Sequence, residues 1–450
     1  MASVIKNFFI YSASALLLRG ASVVVAPLTL HLLSPSEYGL VALLHSFSSI
    51  TTILMGFGLR QLLSIEFFHY TGAEQRTLVN RILALYCVVA TPLFLSALAG
   101  CSYINRSLFS NTATNGLISI TLVYCYIFFF VELLYQILRY QEKVRLVTWL
   151  QTSSALGIIC LNVLLLAWCH AGVYSAITSY CICYGAVCVW GAYRYRHYYG
   201  QTTDRLRTSL QQLPCYLRMS LPFLPTVLCS WVLSSSDRWL LARMTTLHDV
   251  GIYSLADAFG QLYLLVVLQP ISNAYLPRLM RLFKTDENLV ATEQNNRKNT
   301  LYGMLIATSI ISAGYCIGKP LVILLLPSSY HQAVGYIWYI LMGYVLLTGT
   351  YCFSALIQFC KCRWFLSFSL MVPALCNLLF NVLLIPLWGL HGCVMATLIA
   401  QAVYCATTYW YGGRILKGLA GESYKTRQAP AYSLVHRQHH APVSAAQKAP

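Results

Sequence analysis

The sequence predicts an all-α polytopic membrane protein with about 12 transmembrane helices in two pseudo-symmetric six-helix lobes. Of its 450 residues, 58% are apolar and only 10% are charged, whereas soluble proteins carry about 25% charged residues. Apolar runs long enough to cross a bilayer as helices recur from one end of the chain to the other. These runs are too long and too uniformly apolar for a β-barrel, whose strands alternate over about ten residues.

Polar or charged residues lie at both ends of each apolar run. We expect the runs to be helices, because backbone N–H and C=O groups in lipid must form hydrogen bonds with one another. The runs are numbered spans 1 to 12. The sequence shows no evident cleavable signal peptide. Glycine and proline residues predict kinks in spans 1, 2, 7 and 8, notably at Gly56, Gly58, Pro222, Pro225 and Pro270. The spans are 7–33, 38–65, 80–103, 115–137, 146–169, 171–193, 214–242, 248–277, 299–318, 331–358, 364–388 and 390–412.

The basic residues predict the orientation. With the N-terminus in the cytoplasm, 23 of the 30 Lys and Arg residues fall in cytoplasmic segments and only Arg106, Arg243 and Lys319 in outer loops. This asymmetry places both termini in the cytoplasm. The same asymmetry explains the net charge of +17, because the basic cytoplasmic segments face anionic lipid. The charge therefore does not require a nucleic-acid partner, and we expect none.

The 17 cysteines are scattered through the apolar runs, without a Cys-x-x-Cys pair. We therefore interpret them as small packing residues and expect no metal site and no cofactor.

Two repeated patterns divide the chain into halves. Glu37 and Gly39 before span 2 correspond to Asp249 and Gly251 before span 8. Asn162, Trp168 and Gly172 likewise correspond to Asn381, Trp388 and Gly392. We predict an N-terminal lobe (1–197), a cytoplasmic linker (198–213), a C-terminal lobe (214–412) and a disordered cytoplasmic tail (413–450), with a transport path between the lobes.

Three segments carry a family resemblance: "LLSPSEYGLVALLHSF", "SSSDRWLLARMTTLHDVGIYSLADAFGQ" and "NLLFNVLLIPLWGLHGCVMATLIAQ". In order and spacing they resemble the Wzx-type polysaccharide flippases of the MOP superfamily, which includes the MATE exporters. The resemblance implies a central cavity lined by helices 1, 2, 7 and 8 and alternating access in the bacterial inner membrane. The implied substrate is an undecaprenyl-diphosphate-linked oligosaccharide repeat unit for O-antigen or other surface polysaccharide, and the implied partners include a polysaccharide polymerase.

Placing a charged residue inside a membrane span costs free energy, so each such residue is a candidate for a functional role. We expect Arg19 first, with Arg60, His45 and Arg238, to contact the diphosphate or line the cavity, because guanidinium groups match phosphate oxygens. Structural alternatives are a pair between Arg19 and either Asp257 or Glu132, and snorkelling of Arg60 to the interface.

Two carboxylates, Asp237 and Asp257, are candidates for coupling to H⁺ or Na⁺ or for gating. A salt bridge from Asp237 or Arg238 to the other lobe would form a gate on the outer side. The alternatives are a charge pair at a helix end for the first two and an ordinary hydrogen bond for Asp257. Tyr253 and Tyr263 on span 8 are candidates for stacking on sugar rings, although packing or a place in the interfacial aromatic belt explains each of them better.

Two other functions fit the sequence less well. A MATE-like exporter of small cations would place carboxylates in the cavity, yet two of the deepest charges are arginines. A membrane-embedded polysaccharide enzyme would need a large outer loop or a nucleophile or metal motif, and the outer loops here are short. We therefore predict a transporter rather than an enzyme.

Overall fold

A computed structural model describes residues 29–199, 214–285, 288–360 and 362–425, and every regular element in these ranges is helical. Span 1 lies almost entirely outside the described residues. The α-helices are Pro35–Gly56, Leu59–Glu66, Ala73–Ala99, Cys101–Leu108, Asn115–Tyr140, Val144–Ala167, Val173–Tyr199, Leu224–Met244, Leu247–Tyr263, Leu276–Thr285, Leu289–Leu325, His331–Phe359 and Arg363–Lys425.

Nine helices of the described chain are long and apolar enough to cross a membrane, and a bent pair makes a tenth. The last, Arg363–Lys425, has 63 residues and would be about 95 Å long at 1.5 Å per residue, about three times a bilayer core. It is interrupted at Gly389, whose φ of 55° is not helical. This is where the sequence divides span 11 from span 12. The second part continues to Lys425, past the predicted end at 412. The total of twelve spans and the domain boundaries stay predictions.

The predicted kinks in spans 2, 7 and 8 are present. Span 2 breaks between Pro35–Gly56 and Leu59–Glu66, where Phe57 and Gly58 have φ of 46° and 74°. Span 7 bends by 45° between Pro214–Ser220 and Leu224–Met244. Span 8 continues past Leu247–Tyr263 through two π-helical turns around Pro270.

Each half has its own apolar core. In the N-terminal half, spans 2, 3 and 4 pack around buried residues such as Leu44, Ile82 and Phe129. In the C-terminal half, spans 8 and 10 pack around Ile252 and Val334. The first core continues onto Trp239 of span 7, so the two halves share part of their packing.

The repeat seen in the sequence is also present in the structure. Span 2 begins with a capping box between Ser34 and Glu37. Span 8 begins with Thr246, whose hydroxyl accepts from the Asp249 N–H at 3.2 Å and donates to the Asp249 carboxylate at 3.0 Å. In each case the carboxylate lies in the first turn, where it is favoured by the helix dipole.

The two capped ends meet between the halves. A Cβ atom on Gly39 would overlap the carbonyl oxygen of Leu247 and lie 2.9 Å from the backbone nitrogen of Gly251. Nearby, the Tyr330 hydroxyl donates to the Leu33 carbonyl at 2.9 Å. The halves are therefore in backbone contact on the predicted outer side of the membrane.

Candidate functional site

A chain of three cavities runs through the centre of the described residues. The first, about 430 Å³, extends along span 2 from His45 to Arg60. The second, about 400 Å³, lies between the halves and is lined by His45 on one side and by Arg238 and Asp257 on the other. The third, about 290 Å³, lies within the C-terminal half beside Asp237 and Asp257. His45 and Asp257 thus each line two cavities, so the three cavities adjoin one another, and we refer to them together as the crevice.

Arg60 lies at one end of the first cavity. Its Nη2 atom donates to Glu132 Oε2 at 2.8 Å, and Gln136 donates to its backbone carbonyl at 3.0 Å. The pair engages only Nη2. The Nε atom is buried without a hydrogen-bond partner, but Nη1 forms no hydrogen bond with a described residue, and the side chain is 35% exposed and lines the cavity. Glu132 therefore anchors Arg60, and Nη1 is the donor that remains for a ligand in the cavity.

Span 7 closes the cavity beside Arg60. The break at Gly58 brings span 2 against span 7, and a Cβ on Gly58 would lie 2.7 Å from the Ser220 carbonyl oxygen. Leu224 and Val227, just after the bend in span 7, line the cavity opposite Arg60. Movement at this bend would change access to Arg60.

His45 lies where the first two cavities meet. Its ring packs edge-on against Tyr180, with 5.0 Å between centroids, and it is half-buried. The structure therefore places the His45 ring against Tyr180 at the junction of the two cavities.

Arg238 and Asp257 form an ion pair within the C-terminal half. Arg238 Nη2 donates to Asp257 Oδ2 at 2.6 Å, and Tyr344 donates to the other carboxylate oxygen at 3.1 Å. Arg238 also donates to the Ser234 carbonyl at 3.0 Å. Both partners line the cavity between the halves, but the pair joins spans 7 and 8 of one half.

Among the described residues, neither Asp237 nor Arg238 forms a salt bridge to the N-terminal half, so the gate considered above is not present in this structure. Asp237 and Arg238 are adjacent on a helix and point about 100° apart. Arg238 faces the crevice between the halves, whereas Asp237 points into the C-terminal half. Backbone contacts and hydrogen bonds form the closure instead.

Asp237 is the most enclosed carboxylate of the crevice, with 2% exposure. It accepts hydrogen bonds from Tyr253 at 2.7 Å, from Asn381 Nδ2 at 2.7 Å and from Thr397 at 2.8 Å. Tyr253 lines the third cavity with its hydroxyl bonded to Asp237, whereas Tyr263 lines none of the three cavities and accepts from Thr348. A stacking role for either residue stays a prediction.

The side chains that surround Asp237 are polar. Asn381 Oδ1 is buried without a partner among the described residues, and Asn377 Oδ1 accepts from Ser236 at 3.2 Å. Asn381 turns its Nδ2, and not its Oδ1, toward Asp237, so the carboxylate is surrounded by neutral hydrogen-bond donors. Groups of His, Cys, Asp or Glu side chains that could hold a metal ion are absent from the described chain.

Known proteins share both the sequence and the fold. A family model described as polysaccharide biosynthesis protein matches residues 4–283, more than half of the chain. The chain belongs to this family. Membership in the polysaccharide biosynthesis protein family confirms the resemblance that the sequence motifs carry.

One curated relative is similar to part of the chain. The capsular polysaccharide biosynthesis protein CapF of Staphylococcus aureus is 27% identical over 183 residues, 40% of this chain and 44% of that protein. The chain thus spans less than half the length of this relative.

Solved structures extend the similarity to almost the whole chain. A structure of the lipid II flippase MurJ in an inward closed conformation has a TM-score of 0.68 at 12% identity, covering 97% of this chain and 95% of that one. An inward-facing multidrug resistance MATE family transporter of the MOP superfamily has a TM-score of 0.65 at 15% identity, covering 93% and 96%. These similarities confirm the predicted fold class for this family member.

Two groups of residues at the crevice of this member of the polysaccharide biosynthesis family were not predicted from its sequence. Trp231 and Trp239 of span 7 both donate to Ser46 of span 2, at 3.2 and 2.8 Å, across the boundary between the halves. An aromatic wall from spans 4 and 6 also lines the first cavity. Its four-residue spacing, as in Tyr124 and Phe128, is visible in the sequence and marks one helix face. Arg19 lies outside the described residues.

Proposed function

We propose that this protein is a flippase that moves undecaprenyl-diphosphate-linked oligosaccharide repeat units from the inner to the outer leaflet, for the synthesis of a surface polysaccharide such as O-antigen. One observation carries the proposal: a crevice between two helical halves that presents free guanidinium donors of Arg60 at one end. Membership in the polysaccharide biosynthesis protein family supports a role in polysaccharide synthesis. The description of the structurally similar MurJ as a lipid II flippase supports a lipid-linked substrate.

Arg60 is the first contact of the diphosphate in this proposal. Its position near the predicted cytoplasmic end of span 2 suits a headgroup that arrives from the inner leaflet, and the guanidinium can bind phosphate oxygens in pairs. Glu132 holds the side chain in place and neutralises it in the absence of substrate. The prenyl chain stays in the lipid while the headgroup occupies the crevice.

Movement between two states follows from the contacts of spans 2, 7 and 8. On the predicted outer side, Gly39 and Gly251 hold the halves together, and on the predicted inner side the bent start of span 7 lies beside Gly58. Alternating access requires one contact to open while the other holds. Arg19, expected near mid-membrane on span 1, would be a further contact of the diphosphate along this path.

Asp237 is the coupling residue we favour. Asp257 is already neutralised by Arg238 and bonded to Tyr344, whereas Asp237 has no cationic partner at hydrogen-bond distance among the described residues. A proton or a sodium ion would supply the missing positive charge. Arg238 remains a cavity cation that a diphosphate could draw away from Asp257.

A MATE-like exporter of small cations is the second candidate, favoured by the two carboxylates that line the third cavity. The engagement of Asp257 with Arg238 argues against it, because a cationic substrate would have to compete with an ion pair of 2.6 Å.

The test is flipping of a fluorescent short-chain polyprenyl diphosphate carrying one glucose in proteoliposomes, compared with efflux of ethidium. We expect flipping by the wild type, at least a tenfold loss in Arg60→Gln, and no change in the control Arg278→Gln, an exposed arginine outside the crevice. Ethidium efflux without lipid flipping would overturn the flippase and favour the exporter.

A further inference from the structure

The first cavity contains two chemically different walls. Along span 2, His45, Ser49 and Thr52 recur at intervals of three or four residues and therefore share one helix face. Opposite them stand three aromatic rings, Tyr124, Phe128 and Tyr180. A polar wall facing an aromatic wall is unusual for a helical core, which would be apolar on both sides.

The aromatic wall is held rigidly. Tyr124 and Tyr180 lie 5.6 Å apart between ring centroids, and Tyr124 and Phe128 lie 5.5 Å apart. Tyr184 supports the wall from behind, 5.3 Å from Phe128, without lining the cavity. The rings therefore present a preformed surface rather than one that must order on binding.

The polar groups of the cavity are available to a ligand. The hydroxyls of Ser48 and Thr52 donate to backbone carbonyls of their own helix, at 2.8 and 2.7 Å, which leaves their oxygen lone pairs as acceptors. The hydroxyls of Tyr124 and Tyr180 and the side-chain amide of Gln61 form no hydrogen bond with any described residue. The cavity thus offers both donors and acceptors beside apolar ring faces.

A sugar ring has this combination of properties, because its C–H groups form apolar faces and its hydroxyls form a polar rim. From this geometry we infer that the first cavity is a carbohydrate subsite, in which the rings of Phe128, Tyr124 and Tyr180 stack on successive sugars of the repeat unit while Arg60, about 20 Å along span 2 from His45, holds the phosphate. The volume of about 430 Å³ is within the range of small-molecule sites. The inference rests on the proposed function and adds the residues that recognise the sugar.

The experiment compares two probes that differ only in the sugar: a short-chain polyprenyl diphosphate with a glucose trisaccharide, long enough to extend from Arg60 to Tyr180, and the same polyprenyl diphosphate without it. Binding to the purified full chain in detergent is measured by calorimetry. We expect Tyr180→Leu to lower the affinity for the glucose-bearing probe by about three- to tenfold, the range of aromatic contacts, and to leave the affinity for the sugar-free probe unchanged. Arg60→Gln should lower the affinity for both probes by the same factor.

Two further variants guard against misfolding. Tyr180→Phe keeps the ring and should retain most of the difference between the probes, while Tyr126→Phe, on the opposite face of span 4 against Tyr86, should behave as wild type. Equal losses for both probes in Tyr180→Leu, or no loss for either, would overturn the sugar subsite while leaving the flippase intact. If neither probe binds the wild type, the proposed function fails first.

Discussion

Gly39 and Gly251 occupy equivalent positions in the two halves of the sequence and pack against each other in the structure, backbone to backbone, at the start of spans 2 and 8. Equivalent residues of a repeat meet in this way when they lie close to the pseudo-twofold axis. The same contact closes the predicted outer side of the crevice, so the repeat and the gate are formed by the same residues.

Substitution at this contact should oppose outer closure. A Cβ on Gly251 would overlap the Pro35 carbonyl oxygen, and overpacking of this kind costs about 1–3 kcal/mol. We expect Gly251→Ala to reduce flipping at least fivefold and to raise labelling of spans 2 and 8 by a membrane-impermeant reagent from outside. The control is Gly335→Ala, because a Cβ there meets nothing within 4 Å. Normal flipping and labelling in Gly251→Ala would show that the contact does not act as a gate.

Exchanging Arg60 and Glu132 distinguishes a structural role of Arg60 from a functional one. Exchanging the two residues, Arg60→Glu with Glu132→Arg, should keep an ion pair and restore most of the thermal stability that either single change removes. Because the pair is partly exposed, we expect that loss to be about 1 kcal/mol. The flipping rate should nevertheless stay at least tenfold below that of the wild type, because the guanidinium now lies on span 4 instead of span 2. Recovery of flipping together with stability would assign Arg60 a purely structural role.

Asp237 should carry the response to an ion gradient. Asp237→Asn keeps the size of the side chain and one of its two acceptor oxygens but removes the charge that a cation needs. We expect flipping to become independent of imposed Na⁺ and H⁺ gradients, while Asp249→Asn, outside the crevice at a helix start, responds as wild type. A gradient response that survives in Asp237→Asn but disappears in Asp257→Asn would transfer the coupling role to Asp257.

Trp239 should set the balance between the two states. Its indole Nε1 donates to Ser46 Oγ at 2.8 Å across the halves, and such a bond contributes about 1 kcal/mol. Trp239→Phe keeps most of the packing and loses this bond, so outside labelling of span 2 should rise about fivefold. Trp149→Phe, an exposed residue of span 5, is the control. Unchanged labelling in Trp239→Phe would show that the bond does not bias the states.

The sequence was sufficient for the features that depend on local chemistry. Apolar length and the glycine and proline positions predicted the described helices, the break at Gly389 and the kinks near Gly58 and Pro270. The charged candidates that the cost of charge in lipid indicated on spans 2, 7 and 8 line the crevice, and their roles stay predictions.

The partners of those charges could not be predicted, because they depend on how each helix is rotated about its axis. Arg238 could have faced either half, and only the structure pairs it with Asp257. Likewise, the spacing of Tyr124 and Phe128 shows a shared face but not that this face lines a cavity. The two indole bonds to Ser46 join residues almost 200 positions apart, and no local pattern indicates them.

The most direct test of the central claim is the affinity of the purified protein for three short-chain polyprenyl probes: the diphosphate, the monophosphate and the neutral alcohol. If guanidinium groups in the crevice bind the headgroup, the diphosphate should bind at least tenfold more tightly than the alcohol, with the monophosphate between them. Arg60→Gln should remove most of that difference. Equal affinity for all three probes in the wild type would contradict the account.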